Sequence, residues 1–67
     1  MKIKEFLGKL NRASSDVTVE ICDCNISLDN RTRISTDDLW HGRYGDFSGM
    51  KLQSYTISNG ILTVYAV

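Results

Sequence analysis

The chain lacks an excess of charge of either sign and a long apolar run, and it has few cysteines. Its 67 residues carry eight basic and eight acidic side chains, and two cysteines. A balanced charge provides no overall field to attract nucleic acid, an anionic membrane or an acidic substrate. No run approaches the roughly 20 apolar residues of a membrane helix, and the opening residues do not resemble a secretory signal. We therefore expect a cytoplasmic protein with free thiols and no membrane segment.

Hydrophobic residues make up 42% of the chain, close to the average for globular proteins. A chain of this length is expected to form a single domain, over residues 1–67, with a thin core. Its first apolar residues have the spacing of one helix stripe, and they are Ile3, Phe6, Leu7 and Leu10. This spacing predicts an amphipathic helix over residues 2–12 that ends near Arg12. Gly8 costs the helix about 1 kcal/mol relative to Ala, and a close packing contact is one reason to keep it.

A first hairpin is predicted after the helix. Its apolar residues are Val17, Val19, Ile21, Ile26 and Leu28. The first three alternate with polar residues, as in a strand with one buried face, and the last two have the opposite phase. A loop at residues 22–25 restores one apolar face, because it sets Ile21 opposite Ile26 and Val19 opposite Leu28. The alternative turn, at Asp29–Asn30, would leave a long first strand with a broken phase.

Asn59-Gly60 predicts a second hairpin with a two-residue loop, since both central residues of a type I′ turn need positive φ. This loop sets Ile57 opposite Leu62 and Tyr55 opposite Val64, on the face that we expect to contact the core. We expect the other face to contact solvent, with the pairs Ser54–Tyr65, Thr56–Thr63 and Leu52–Val67.

A short helix is predicted between the hairpins. Ser35 or Thr36 is a suitable N-cap, and the carboxylates of Asp37 and Asp38 then lie in the first turn, which the helix dipole favours. Gly42 comes where a left-handed residue would end the helix. The order helix, hairpin, short helix, hairpin predicts an α+β domain in which the N-terminal helix packs on a mostly antiparallel sheet of about four strands.

The chain also resembles a group of small proteins. The segments that carry the resemblance are residues 3–7, 17–21, 37–39 and 59–60. In this pattern the chain is similar to small accessory proteins of phages and integrative elements in Gram-positive bacteria. The resemblance implies a protein that acts by binding, and it implies no site residue and no cofactor.

Two segments carry the side chains that metal sites and catalysis use. Cys22 and Cys24 form a C-x-C pair, but a structural zinc site needs four ligands, and His41 is the only further nitrogen donor. We expect both thiols to be partly exposed at a hairpin tip. Asp37 and His41 are helix neighbours at i and i+4, yet no nucleophile or oxyanion donor accompanies them. We therefore expect a helix-stabilising pair, no metal, no cofactor and no enzymatic activity.

Protein binding, including self-association as a homodimer, is the function that we expect. The closing hairpin contains an uncharged strand without Pro or Lys, and such a strand is poorly protected as a sheet edge. Aromatic side chains with a polar group are frequent interface anchors. The candidate partner-binding residues are Tyr65, Thr63, Thr56, Ser54, Tyr44 and Trp40. For Trp40 the favoured interpretation is a cap over the open end of the core, and for Tyr65 both interpretations stay open.

Binding to nucleic acid is the alternative. The cations beside the apolar stripe of the first helix are Lys2, Lys4, Lys9 and Arg12. Glu5 interrupts this group, and phosphate affinity grows with the number of cations brought together. Because the cations are interrupted and few, protein binding remains the first expectation and nucleic-acid binding the alternative.

Overall fold

The computed structural model of the protein describes residues 1–10 and 18–67, and it has the predicted α+β architecture. The elements in chain order are helix α1 (Ile3–Leu10), strands β1 (Thr18–Asp23) and β2 (Arg31–Ile34), helix α2 (Thr36–His41), a 3₁₀ helix (Gly45–Gly49), and strands β3 (Leu52–Ser58) and β4 (Ile61–Ala66). The predicted element order is confirmed. The predicted end of the first helix at Arg12 lies outside the described residues. None of the described helices is long and apolar enough to cross a membrane.

The four strands form one sheet in the order β2-β1-β4-β3. Each hairpin is antiparallel, and the two hairpins meet along a parallel β1–β4 pair that sets Val19 beside Leu62 and Ile21 beside Val64. The sheet is therefore mostly antiparallel, as predicted. β1 and β4 are its central strands, and β2 and β3 are its edges.

The core lies between α1 and one face of the sheet, which we call the helix face. Ile3 and Leu7 are fully buried there against β1 and β4, and Phe6 is half-buried beside them. Burial of one such aliphatic side chain stabilises the fold by about 1.5–3 kcal/mol. The opposite face, which we call the open face, carries Glu20, Cys22, Thr63, Tyr65, Thr56 and Ser54, as the strand register requires.

The second hairpin has the predicted turn and nearly the predicted register. Asn59 and Gly60 both have positive φ, at 53° and 76°, and the predicted pairs between residues 54–57 and 62–65 are present. The prediction for Leu52 is wrong. A bulge between Leu52 and Ser54 shifts the register by one residue, so Leu52 lies opposite Ala66 and packs against the core.

The first hairpin forms, but its predicted register is wrong. Val19 lies opposite Ile34 and Ile21 opposite Thr32, and the connection runs over residues 24–30. Ile26 and Leu28 lie in this connection and are exposed. The amides of Ile26 and Ser27 both donate to the Asp23 carbonyl, at 3.1 and 3.2 Å. A turn therefore begins directly after β1, and the change in apolar phase marks this turn instead of a returning strand.

Helix α2 has the predicted caps. The Ser35 hydroxyl accepts a hydrogen bond from the Asp38 amide at 3.1 Å, and Gly42 ends the helix with a φ of 68°. The Arg43 amide donates to the Asp38 carbonyl at 2.9 Å, which satisfies a carbonyl at the end of the helix. The cap thus turns the chain sharply toward the 3₁₀ helix.

Two glycines are expected to respond in opposite ways to replacement by alanine. A Cβ at Gly8 would meet nothing within 4 Å, so no packing contact requires this glycine. Gly8→Ala should raise the free energy of unfolding by about 0.5–1 kcal/mol. Gly60→Ala should lower it by about 1–2 kcal/mol, because alanine is strained at positive φ. Thermal denaturation followed by circular dichroism measures both, and shifts of the same sign would contradict the prediction.

Candidate functional site

A charged cluster surrounds helix α2. The Arg43 side chain donates to Asp38 Oδ1 at 3.0 Å and also bonds the Asp37 carboxylate. His41 Nδ1 lies 3.4 Å from Asp37 Oδ1, so the predicted contact between these two residues is confirmed. The hydrogen bond from Arg43 holds the pKa of Asp38 below its ordinary value. All four side chains are substantially exposed, and the cluster stabilises a short helix at the surface.

Cys22 is not exposed at a hairpin tip as predicted. It lies within β1 and is fully buried, with its sulfur 3.3 Å from the Leu28 carbonyl and 3.5 Å from the Ser27 carbonyl. Burial is the main cause that raises the pKa of the Cys22 thiol. Cys24 is half-buried, and both cysteines are free thiols. Residues 1–10 and 18–67 contain no group of three or more His, Cys, Asp or Glu side chains that could hold a metal ion.

The two aromatic residues near α2 differ in burial. Tyr44 is 3% exposed and belongs to the core, so its predicted role as an exposed interface anchor is wrong. Trp40 is 55% exposed, so it is not part of the buried core, and its interpretation as a cap over the open end of the core stays a prediction. Leu39 is the buried residue of this helix. Its neighbour Trp40 lies about 100° further around the helix axis, at the border of the buried stripe.

The open face carries the remaining predicted binding residues in unequal environments. Ser54 and Thr56 on β3 are exposed, and Tyr65 on β4 is half-buried. Thr63 is 6% exposed, which contradicts its predicted exposure to solvent. Thr63 lies on a central strand, directly between Glu20 and Thr56, and its neighbours cover it. A shallow depression of about 240 Å³ lies on this face, partly lined by Thr56, Thr63 and Tyr65.

A larger groove of about 480 Å³ lies beside β2. Apolar side chains line part of it, among them Ile34, Phe47 and Met50, and the ion-paired Asp38 and Arg43 line another part. Asp38 and Arg43 are thus already paired with each other beside α2, whereas Asp23, Arg33 and Asp46 carry the other charges of the lining.

The predicted basic residues are only partly within the described chain. Lys2, Lys4 and Lys9 are exposed, and Arg12 lies outside the described residues. An isolated antiparallel bridge between Lys2 and Lys51 brings one more lysine to this end of the molecule.

The outer edge of β3 is the least protected part of the sheet. The strand contains no charged residue, and in the described part of the chain no strand lies beyond it. Tyr55 and Ile57 extend from its helix face and are 51% and 66% exposed, although the Tyr55 ring contacts Phe6 with 5.1 Å between centroids. By contrast, the other edge strand, β2, is short and carries Arg31 and Arg33, and charged side chains discourage pairing with another strand.

The backbone N–H and C=O groups of successive β3 residues point alternately toward β4 and toward the outer edge of the sheet. Ser58 and Ile61 close the two-residue loop, and such a pair exchanges two hydrogen bonds. Along an antiparallel ladder, hydrogen-bonded pairs then alternate with pairs that are not hydrogen-bonded. Thr56 and Ser54 therefore bond to β4, while the N–H and C=O groups of Tyr55 and Ile57 point away from it. The segment from Met1 to Ile3 already occupies the outer edge up to Leu52, through the bonds Leu52 N to Met1 O at 2.8 Å and Ile3 N to Met50 O at 2.9 Å. Among residues 1–10 and 18–67, no backbone segment pairs with the outer edge over residues 53–58, and we call this part of β3 the free edge.

The sequence predicted this site in part. It indicated an unprotected strand in the closing hairpin, but it selected the side chains on the open face. The structure adds Tyr55 and Ile57, which were predicted to lie against the core. Both residues lie on the helix face, as their spacing predicted. They are exposed because β3 is an edge strand, and no local sequence pattern indicates that position in the sheet.

No family model matches the chain, and no curated protein or solved structure matches it. The resemblance to accessory proteins of phages and integrative elements therefore stays a prediction.

The pKa of Asp38 should depend on Arg43. In Arg43→Gln, the pKa of the Asp38 carboxyl is expected to rise toward its ordinary value of 3.8, because the largest cause of its depression is lost. A depressed pKa stabilises the fold at pH values above the ordinary value, and this stabilisation is lost as pH falls through the folded-state pKa. Carboxyl NMR titration measures the shift. Arg33→Gln is the control, since Arg33 pairs with Glu20; an unchanged Asp38 titration in Arg43→Gln would contradict the prediction.

Proposed function

We propose that the protein is a non-enzymatic binding module that holds an extended segment of another polypeptide along the free edge of β3. One observation carries the proposal: an uncharged edge strand presents the backbone groups of Tyr55 and Ile57 outward, beside two exposed apolar side chains. Strand addition to such an edge supplies affinity through main-chain hydrogen bonds and specificity through alternate side chains.

The arrangement of the edge supports this mode of binding. The groups that would accept a partner strand belong to residues 55 and 57, whose side chains lie on the same face as α1. A partner's side chains on that face would therefore lie against Tyr55 and Ile57. Phe6 supports the Tyr55 ring from behind, which limits the side-chain freedom that binding must remove.

The charged cluster around α2 supports binding over catalysis, and the free cysteines support a reducing compartment. Asp37, Asp38 and Arg43 are paired with one another at the surface, and their arrangement is accounted for by stabilisation of α2. We place the binding activity in the cytoplasm, where the thiols of Cys22 and Cys24 stay reduced.

A charge on the edge should abolish binding. Ile57→Lys is expected to reduce the amount of captured partner by about tenfold or more, since a buried lysine would replace an apolar contact. The measurement is quantitative mass spectrometry of proteins that the tagged chain retains from an extract of its native host. Amide hydrogen exchange of Tyr55 and Ile57 should slow in the complex.

Ile26→Lys is the matched control, because Ile26 is 67% exposed, as Ile57 is 66% exposed, but lies in the connection between β1 and β2. This variant should retain the same partner as the unmodified chain. Circular dichroism verifies that both variants fold. If all three chains retain the same proteins in the same amounts, or if the Tyr55 and Ile57 amides exchange unchanged in the complex, the edge of β3 is not the binding site.

One observation favours the alternative of nucleic-acid binding. The Lys2–Lys51 bridge brings together two lysines that are distant in the sequence, and Lys4 is exposed two residues from Lys2. If this group binds phosphate, a chain with Lys2→Glu and Lys51→Glu should elute from heparin at lower salt than the unmodified chain, because fewer counterions are released. Equal elution of both chains would exclude a role for these lysines. A chain with Arg31→Glu and Arg33→Glu, two exposed cations on β2, has the same net charge and separates this effect from net charge.

A further inference from the structure

We infer that the segment held by the edge of β3 is β3 of a second copy, paired antiparallel about a two-fold axis at Thr56. This inference rests on the proposed function and names its partner. In this register Tyr55 lies opposite Ile57 of the second copy, and Ile57 lies opposite Tyr55 of the second copy. The residues whose backbone groups point outward thus meet each other, and each pair can exchange two hydrogen bonds.

The side chains also fit this register. On the helix face each tyrosine ring lies beside an isoleucine, which is a favourable combination of an aromatic and a β-branched residue across two strands. On the open face the two Thr56 side chains meet at the axis, and Ser54 lies opposite Ser58. The strand contains no charge, so no like charges oppose one another. One short segment is therefore its own complement, as an interface with two-fold symmetry requires.

The lysines at one end of the free edge favour antiparallel over parallel pairing of the two β3 strands. Lys2 and Lys51 lie where the segment 1–3 joins the outer edge of β3. Parallel pairing of two β3 strands would bring these lysines beside their own copies, and the repulsion would be unfavourable. Antiparallel pairing places them at opposite ends of the interface, where each pair faces the uncharged Asn59-Gly60 turn of the other copy. The overlap is then limited to residues 54–58, because segment 1–3 covers the edge beyond Gln53.

The resulting sheet would be continuous through both copies and twice as wide. A two-fold axis perpendicular to the sheet keeps the helix faces of both copies on the same side, so Phe6 of each copy lies behind a tyrosine at the interface. The arrangement also removes the unprotected edge, since both ends of the joined sheet are then β2 strands with Arg31 and Arg33.

A cysteine at the axis tests this register. In a Cys24→Ser background, which removes the half-buried native thiol, Thr56→Cys should form an intermolecular disulfide under mild oxidation. Residues opposite each other at a non-hydrogen-bonded antiparallel position have Cα atoms about 4.5 Å apart, within the range of roughly 4.4–6.8 Å that disulfides span. Ser54→Cys in the same background is the matched control. It is exposed on the same face, but its copy would lie roughly 13 Å along the strand. Intact mass under non-reducing conditions measures the product.

Three further results decide the inference. A mixture of Ser54→Cys and Ser58→Cys chains should give the mixed dimer, because these residues are opposite each other. The chain without added cysteines should sediment at twice the monomer mass, and Ile57→Lys should sediment as a monomer. A disulfide in Ser54→Cys but not in Thr56→Cys would overturn the register, and a monomeric mass of the unmodified chain at all concentrations would overturn the self-association. In the latter case, loss of a different captured protein in Ile57→Lys would leave the proposed function intact.

Discussion

The parallel pairing of β1 with β4 is the interaction on which the structure depends. It joins two hairpins that would each be marginal alone, and it sets Val19 and Ile21 beside Leu62 and Val64. These four side chains form the surface on which Ile3 and Leu7 of α1 are buried. The same pairing assigns β2 and β3 to the edges of the sheet. The location of the candidate binding site is therefore a consequence of how the centre of the sheet is assembled.

Local signals predicted the parts of the fold that local chemistry determines. Asn59-Gly60 and the cap at Ser35 lie where the sequence placed them, because a type I′ turn and a helix N-terminus each depend on a few adjacent residues. The register of the first hairpin depends on more distant contacts. Ile26 and Leu28 have the spacing of a strand, but turn hydrogen bonds from Asp23 place them in an exposed connection. Periodicity alone cannot distinguish these two cases.

The sequence predicted the strand that forms the candidate site, but it did not predict which side chains of that strand are accessible. An uncharged, β-branched and aromatic segment is recognisable in the sequence, and β3 has this composition. Which face of it is accessible depends on how far α1 extends across the sheet. Because α1 covers the central strands, Tyr55 and Ile57 remain exposed although their phase is that of core residues. The burial of Tyr44 also depends on tertiary packing, because Tyr44 lies beyond the turn at Gly42 that ends α2 and no local pattern marks it as a core residue.

The central position of β4 has a consequence for biosynthesis. β4 follows every other described element in the chain, yet β1 depends on it for one of its two neighbouring strands. While a ribosome is still translating the preceding segments, β1 and β2 form at most an isolated ribbon with one open side. Such non-local pairing closes slowly because a long loop must be ordered first. The nascent polypeptide is therefore expected to remain protease-sensitive and prone to aggregation until residues 61–66 have left the exit tunnel.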